Sequence, residues 1–300
     1  RYFSLWNFVD FFVFVVGLFK AIFIIKKFKP DAIFGVGSFV QVPLIWIGRL
    51  FKIKIIIHQQ DARIGLSNKL SLPFTDKITT AFEQTSKNFY AGSGIFTKKW
   101  KPAAEWVGNP FREDIFKKHN YSDYFKLHDK LPVLLILGGA TGSEQINNLI
   151  KETLPWLVKN FQVIHQTGSS KNIVLSSTAD YHPFELIAWP QYPYILQKAD
   201  IVVCRSGLST ITELSALGKV AIVIPLSKTH QEENAKILVE ANAAIVLFRE
   251  QANANNLLNI LHKLRFDFPI QQMLKKNIKT LFPIDSAKKL AEIIIKTTHG

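Results

Sequence analysis

The stretch Ala199 to Glu213, ADIVVCRSGLSTITE, brings together residue types able to grip a phosphorylated sugar. Ile201-Val202-Val203-Cys204 is a short apolar run of the kind that forms a buried strand. Arg205-Ser206-Gly207 makes a tight turn, and Leu208-Ser209-Thr210-Ile211-Thr212-Glu213-Leu214 opens a helix with hydroxyls in its first turn. A helix N-terminus leaves backbone N–H groups unpaired and carries partial positive charge, which suits a phosphate or diphosphate. Ser209 or Thr210 would add a hydroxyl donor, and Glu213, about one turn further in, is placed to accept from vicinal sugar hydroxyls. The same residues also read as an ordinary capped strand-turn-helix.

Three other places carry polar chemistry at the end of an apolar run. Gly35-x-Gly37-Ser38 follows Ala32-Ile33-Phe34 and would let a ligand approach the backbone closely, although a plain tight turn has the same spelling. His58-Gln59-Gln60-Asp61 follows Lys54-Ile55-Ile56-Ile57, at the strand end where open α/β sheets bind ligands. His58 reads as a proton shuttle, a hydrogen-bond donor or a satisfied structural histidine. Gly138-Gly139-Ala140-Thr141-Gly142-Ser143 is a glycine-rich βα turn without the spacing of a dinucleotide fingerprint or the lysine of a P-loop. Arg112, just after the turn at Gly108-Asn109-Pro110, is a candidate phosphate partner.

The elements that must position these residues alternate between strand and helix. In the first half, strands are expected at 31–34, 54–57 and 77–82, with a helix over 39–51 and a helix start at Gly65 to Lys69. Residues 112–130 are charged and read as a linker. Beyond it, strands are expected at 132–137, 161–168, 186–189, 201–204, 220–225 and 243–247, with helices between. Helices over 252–264, 269–280 and 285–297 close the chain, the last with Ser286 as N-cap. The pattern predicts two Rossmann-like α/β domains facing a cleft, residues 1–112 and 113–284, with the helix at 285–297 packing back on the first.

The chain has 300 residues, 48% hydrophobic and 20% charged, which fits a globular protein. Its single cysteine, Cys204, excludes a disulfide framework, and no Cys/His cluster has zinc-like spacing, so no metal is expected. The net charge is +14, and 30 of the 37 basic residues are lysine. Nucleic-acid binding finds no motif to support it. Attraction to an anionic membrane or phosphorylated substrate, or a compositional lysine bias, accounts for the charge. Residues 4–29 are strongly apolar, yet Asp10 and Lys20 interrupt them, which argues for a packed helix with an aromatic edge able to dip into a bilayer surface.

Seven stretches, in this order and spacing, resemble the MurG family of glycosyltransferases: PDAIFGVGSFVQVP (30–43), HQQDARIGLSNK (58–69), WVGNPFR (106–112), LLILGGATGSEQIN (134–147), VIHQTG (163–168), ADIVVCRSGLSTITEL (199–214) and HQEENA (230–235). The resemblance implies the GT-B fold and an inverting transfer of N-acetylglucosamine from UDP-N-acetylglucosamine to undecaprenyl-linked lipid I, giving lipid II for peptidoglycan. It implies a peripheral enzyme at the cytoplasmic face of the bacterial membrane, beside other cell-wall synthesis proteins, with no tightly bound cofactor. It puts Asp61, Arg112, Ala140, Thr141, Trp189, Leu208, Ser209, Thr210, Ile211, Thr212, Glu213 and Gln231 on the donor, with Glu213 on the ribose, Trp189 at the uracil through backbone groups and Gln231 on the donor sugar. It puts Gly35, Gly37, Ser38 and His58 on the acceptor side.

The chain departs from the family pattern at three places. HEQN reads His58-Gln59-Gln60-Asp61, and GGSQG reads Gly138-Gly139-Ala140-Thr141-Gly142. The family's N-terminal GGTGGH turn, whose histidine is the usual candidate base, has no counterpart after Arg1, and the only methionine is Met273. The expectation is therefore a first domain lacking its first β-α unit, with the catalytic base upstream of Arg1. A glycolipid transferase with a diacylglycerol acceptor and a catalytically silent nucleotide-sugar binding module are the alternatives.

Overall fold

Short apolar runs alternate with helices in both halves of the chain, and each run pairs in parallel with its neighbours. The computed structural model describes residues 6–87, 89, 103–139, 141–169 and 177–299. They fall into two units, Arg1–Pro110 with Pro283–Gly300, and Phe111–Phe282.

The first unit begins with α1 (Trp6–Phe28), then β1 (Ala32–Gly35), α2 (Gln41–Leu50), β2 (Lys54–Gln59), α3 (Leu66–Ser71), β3 (Lys77–Thr80), α4 (Glu83–Lys87) and β4 (Ala104–Trp106). The sheet order is β1-β2-β3-β4, all parallel. Parallel strands are covered on both faces, which is why β2 is buried from Ile55 to Gln59. Ile45 of α2 packs on Ile55, Ile57 and Ile78. Ala21 and Ile25 of α1 pack on Ile47 and Ile53, while Phe12, Val16, Phe19 and Phe23, spaced at helical intervals, are exposed. Among the described residues no helix is long and apolar enough to cross a membrane.

The second unit contains α5 (Ser122–Phe125), β5 (Val133–Leu137), α6 (Glu144–Asn160), β6 (Gln162–Gln166), β7 (Tyr181–Phe184), α7 (Gln191–Lys198), β8 (Ile201–Cys204), α8 (Leu208–Leu217), β9 (Val220–Val223), α9 (His230–Glu240), β10 (Ile245–Val246), α10 (Ala254–Phe266) and α11 (Phe268–Ile278). The sheet order is β10-β9-β8-β5-β6-β7. The chain builds outward from β5 through β6 to β7, then returns to lay β8 on the other side of β5. The loops after β5 and β8 therefore diverge, and the crevice between them is where such sheets hold ligands. The chain then re-enters the first unit, where α12 (Ser286–His299) packs beside β1 and β2. Gly108, at φ +81°, backs onto Pro283 and Ser286 so closely that a Cβ would collide with both.

Two sequence expectations are corrected. The strand expected at 186–189 lies instead at Tyr181–Phe184. Pro183 within Tyr-His-Pro-Phe disguises it, and this strand can hold a proline because it forms the edge of the sheet. Ser286 does not cap α12; it is the first helical residue, and its hydroxyl donates to the Pro283 carbonyl.

The second unit also contains a buried polar network. His165 on β6 pairs through Nδ1 with the Tyr181 hydroxyl (3.0 Å) and through Nε2 with Asn147 Oδ1 (3.0 Å), and Asn147 Nδ2 donates to the Thr167 carbonyl (2.9 Å). Asn147 thus presents its oxygen to His165, so Nε2 carries the proton and Nδ1 accepts from Tyr181. Burial pushes the imidazole down to about 4 from its ordinary 6.5. The unfolded chain therefore takes up a proton near pH 6.5 that the folded unit refuses until about pH 4. Stability is intact above pH 6.5 and falls across that window, by about 3 kcal/mol at its lower end for this one group. Urea titrations between pH 7 and 4.5 are expected to show a falling unfolding midpoint, with a shallower fall in His165→Gln.

Candidate functional site

Five helices of the second unit form an instructive comparison at their N-termini. Ser143 accepts from Ile146 N at α6, Thr229 from Gln231 N at α9, Asn253 from Asn256 N at α10 and Asp267 from Ile270 N at α11. Like α7 behind Pro190, helix α8 has no side-chain cap, and Gly207 stands in its capping position. Its first-turn N–H groups stand at the C-terminal end of β8, beside the strand-order reversal, with their partial positive charge uncompensated.

The run Leu208 to Glu213 divides by burial. Ile211 is in the core, Leu208 is buried, and Thr212 turns inward to donate its hydroxyl to the Leu208 carbonyl (2.8 Å). Ser209 is exposed, and Thr210 and Glu213 are half-buried. Only these last three side chains are accessible to a ligand; the others can offer backbone alone. Glu213 Oε2 accepts from the Tyr192 hydroxyl at 2.6 Å. Burial raises the carboxyl's pKa, and the Tyr192 bond pulls it back down in part. Tyr192 lies 6.2 Å from the Trp189 ring, and the Arg112 guanidinium sits over Trp189 at 4.1 Å. Arg112, Trp189 and Glu213, three of the residues singled out from sequence, are thereby linked through Tyr192, which sequence reasoning did not single out.

The turn before α8 is held by residues also missed from sequence. The hydroxyl of Ser206, fully buried, donates to the Gln231 carbonyl (2.7 Å), and Asn234 Nδ2 donates to the Ser206 carbonyl (3.3 Å). Arg205 donates to Gln145 Oε1 (2.9 Å) and the Ile224 carbonyl (3.0 Å), tying the same turn to α6 and β9. Gln231 Oε1 accepts from Leu226 N (3.0 Å), which fixes its amide and leaves Nε2 as the group a sugar hydroxyl could reach. A polar residue beside a glycine at a strand end was the available signal for Ser206; nothing local marks Asn234.

In the glycine-rich loop after β5, Thr141 is exposed and Ala140 lies outside the described residues. Gly142, at φ +82°, packs against Thr167 and Gly168 so tightly that a Cβ on it would collide with the Thr167 carbonyl. Gln166 braces the loop by donating to the Gly139 carbonyl (3.2 Å) and accepting from Ile187 N (3.0 Å).

The acceptor-side candidates form a separate cluster in the first unit. Gly37, at φ +105°, donates its N–H to Gln41 Oε1 (2.7 Å) and its carbonyl accepts from Ser67. Gln41 Nε2 donates to Asn68 Oδ1 (2.7 Å), Asn68 Nδ2 to Gln59 Oε1 (2.7 Å), and Gln59 Nε2 to the Asp61 and Arg63 carbonyls (2.8 and 3.0 Å). This amide relay runs in one direction from the glycine turn to the 61–63 loop. It leaves Ser38 exposed and Gly35 buried, with a Cβ on Gly35 only 2.7 Å from Gln41 Oε1. Asp61 is half-buried at the end of the relay.

His58 is 1% exposed. Its Nδ1 meets Thr79 Oγ1 (3.0 Å), and the Thr79 hydroxyl donates onward to the Ile57 carbonyl, so Nδ1 carries the proton. Nε2 has no partner in hydrogen-bond geometry, although nearby Asn109 offsets part of the burial that drives the imidazole down to about 4. That environment suits a neutral structural histidine more than a proton shuttle.

Residues 133–292 match the glycosyltransferase family 28 C-terminal domain, and residues 1–80 match the family's N-terminal domain. A Staphylococcus carnosus protein named UDP-N-acetylglucosamine–N-acetylmuramyl-(pentapeptide) pyrophosphoryl-undecaprenol N-acetylglucosamine transferase is 33% identical, over 100% of this chain and 80% of its own length. A protein of the same name from Clostridium novyi is 32% identical, over 99% and 81%. Among solved structures, Acinetobacter baumannii MurG superposes with a TM-score of 0.71 at 21% identity, covering 95% of this chain and 78% of that one. A UDP-GlcNAc 2-epimerase from Neisseria meningitidis gives 0.71 at 16%, covering 95% and 81%, so at the level of fold both belong with the two Rossmann-like units described above. Matched in both family domains and one-third identical to such relatives along its whole length, the chain belongs to the MurG family within glycosyltransferase family 28.

Proposed function

We propose that this chain is a UDP-N-acetylglucosamine-dependent transferase that moves N-acetylglucosamine onto undecaprenyl-pyrophosphoryl-N-acetylmuramyl-peptide, lipid I, to give lipid II. The observation that carries the donor half is the uncapped α8 N-terminus with Glu213 one turn inside it and Arg112 linked through Trp189 and Tyr192. Helix end and guanidinium supply positive potential to a diphosphate, and as the leaving UDP gains charge the same groups stabilise it. Glu213 accepts from the ribose, Gln231 Nε2 donates to the sugar, and Ser209 and Thr210 add hydroxyls beside the phosphates. Asp61, Thr141 and Ala140 belong to the same donor reading, and Gly35, Gly37, Ser38 and His58 to the acceptor reading. No residue here is assigned as the base.

The silent-module alternative rests on Gln59 and Asp61, which stand where the family carries a carboxylate and an amide. Every polar atom of the Gln59 amide has a partner: Oε1 takes a donor, and Nε2 faces two carbonyl oxygens. A neutral amide is the group this relay requires, so Gln59 by itself is no mark of lost chemistry.

For the membrane, the support is α1. Phe12, Val16, Phe19, Phe23 and Phe28 are exposed, accompanied by exposed Lys20, Lys26 and Lys27, with Lys27 Nζ 5.9 Å from the Phe23 ring. Apolar side chains for the acyl boundary and lysines for anionic headgroups fit peripheral binding.

Three outcomes are expected. Glu213→Ala should weaken UDP-N-acetylglucosamine binding in calorimetry by more than about 1 kcal/mol while leaving the fold intact, as for a lost charge-assisted hydrogen bond; unchanged affinity would remove Glu213 from the site. Gln59→Glu should lower the unfolding free energy from urea titration at pH 8 by about 1–3 kcal/mol, since a carboxylate oxygen would face the Asp61 and Arg63 carbonyls, and should recover in part at pH 5 where the carboxyl can be protonated. Phe19→Asp with Phe23→Asp should abolish co-sedimentation with phosphatidylglycerol vesicles yet preserve UDP affinity; retained sedimentation would discard α1 as the membrane face.

A further inference from the structure

Tyr192 is a residue that the donor contacts set out above leave unused, yet it makes the tightest polar contact in their midst. Among the described residues its hydroxyl is the one hydrogen-bond partner of Glu213, donating to Oε2 at 2.6 Å. That distance is typical of a hydroxyl donating to an ionised carboxylate. The bond occupies one oxygen and leaves Oε1 for an incoming hydroxyl.

A glutamate near a helix start has several rotamers open to it, and fixing one costs conformational entropy each time a ligand binds. Tyr192 removes that cost in advance. The phenol is itself fixed: its backbone N–H donates to the Ala188 carbonyl (3.0 Å) at the head of α7, and its ring lies 6.2 Å from Trp189 at an interplanar angle of 32°. Burial and the neighbouring carboxylate hold its pKa well above the ordinary tyrosine value, so it remains a donor wherever the protein is folded and active. Trp189 in turn lies beneath the Arg112 guanidinium. Two aromatic residues three positions apart thus each steady one ionic group of the donor site.

We propose that Tyr192 is a positioning residue that aims the Glu213 carboxylate at the ribose hydroxyls and thereby sets the site's preference for a ribonucleotide over its deoxy analogue. This rests on Glu213 receiving the ribose. The role predicts a loss confined to ligands that carry those hydroxyls, which a tyrosine that merely packs would not produce.

The test is calorimetric titration of the wild-type protein, Tyr192→Phe and Glu213→Gln with UDP and with 2′,3′-dideoxy-UDP. The wild type is expected to bind UDP more tightly than the dideoxy analogue by about tenfold or more, as for a hydrogen bond to a charged group. Tyr192→Phe should weaken UDP about 3- to 10-fold and leave the dideoxy affinity unchanged, so the ratio collapses toward that of Glu213→Gln. Adding Tyr192→Phe to Glu213→Gln should cost nothing more. Because the ratio is internal to each variant, a loosened fold would lower both affinities together and overturn the proposal. A ratio in Tyr192→Phe equal to that of the wild type overturns it as well. Failure of the wild type to bind UDP would instead overturn the donor-site reading, and a wild type that binds UDP and its dideoxy analogue equally would remove Glu213 from the ribose.

Discussion

The donor-site reading depends on the strand order of the second unit. A parallel sheet that grew in one direction only would cover each strand end with the next connection. Here β6 and β7 extend one way from β5, and β8, β9 and β10 extend the other way. Between β5 and β8 the loops part, and that is where the glycine-rich turn and the α8 N-terminus emerge. The order is enforced by burial: β5, β8 and β9 are buried at every position, in a core that includes Leu134, Ile136, Val203 and Ile222. Burying each such side chain contributes about 1.5–3 kcal/mol, so exposing any of these strands to solvent in another order would be costly. The chemistry of the loops is free to vary because the frame beneath them is fixed this way.

Given that frame, the helix ends are differentiated by a single kind of choice. At α6 and α9 a side chain fills the first turn, Ser143 and Thr229, whereas α7 and α8 carry no side-chain cap, and of these two only α8 opens beside the strand-order reversal. At α8 glycine stands in the capping position, and the neighbouring polar side chains turn away from the open first turn. Ser206 reaches to the Gln231 carbonyl and Thr212 back to Leu208. With glycine in that position, leaving the helix end open forgoes only about a few tenths of a kcal/mol of capping stabilisation. Ser206, Arg205 and Asn234 offset that by tying the turn to α9, α6 and β9, and they also keep the turn from relaxing to satisfy its own N–H groups.

The alternating pattern was legible in the sequence because parallel strands buried on both faces are spelled in Ile, Val and Leu, and Ala199 to Glu213 is such a strand followed by a polar turn. What escaped was decided by tertiary context. β7 contains Pro183 among three polar or aromatic residues, and a proline fits a strand only at the sheet edge it occupies. Ser286 has the right identity for a cap, but its hydroxyl donates to Pro283 where the chain backs against Gly108. Tyr192 was not singled out, because its partner Glu213 lies 21 positions away and meets it only through the fold.

The relay in the first unit shows why residue identity is a poor guide to function without its partners. Read alone, a glutamine in place of a glutamate is a lost charge. In its surroundings, Gln59 is the last of three amides whose donors all point one way, from the Gly37 N–H through Gln41 and Asn68 to two carbonyl oxygens. A chain of this sort polarises each bond through the next and is sensitive to any member that cannot both give and take. Burial sharpens the requirement, since Gln41, Gln59 and Asn68 are all shielded from the water that would otherwise repair a mismatch. Asn68 therefore bears on Gln59 as directly as Gln59 bears on Asp61. The glycine turn and the 61–63 loop are held in register by neutral groups that need no proton or counter-ion to stay in place.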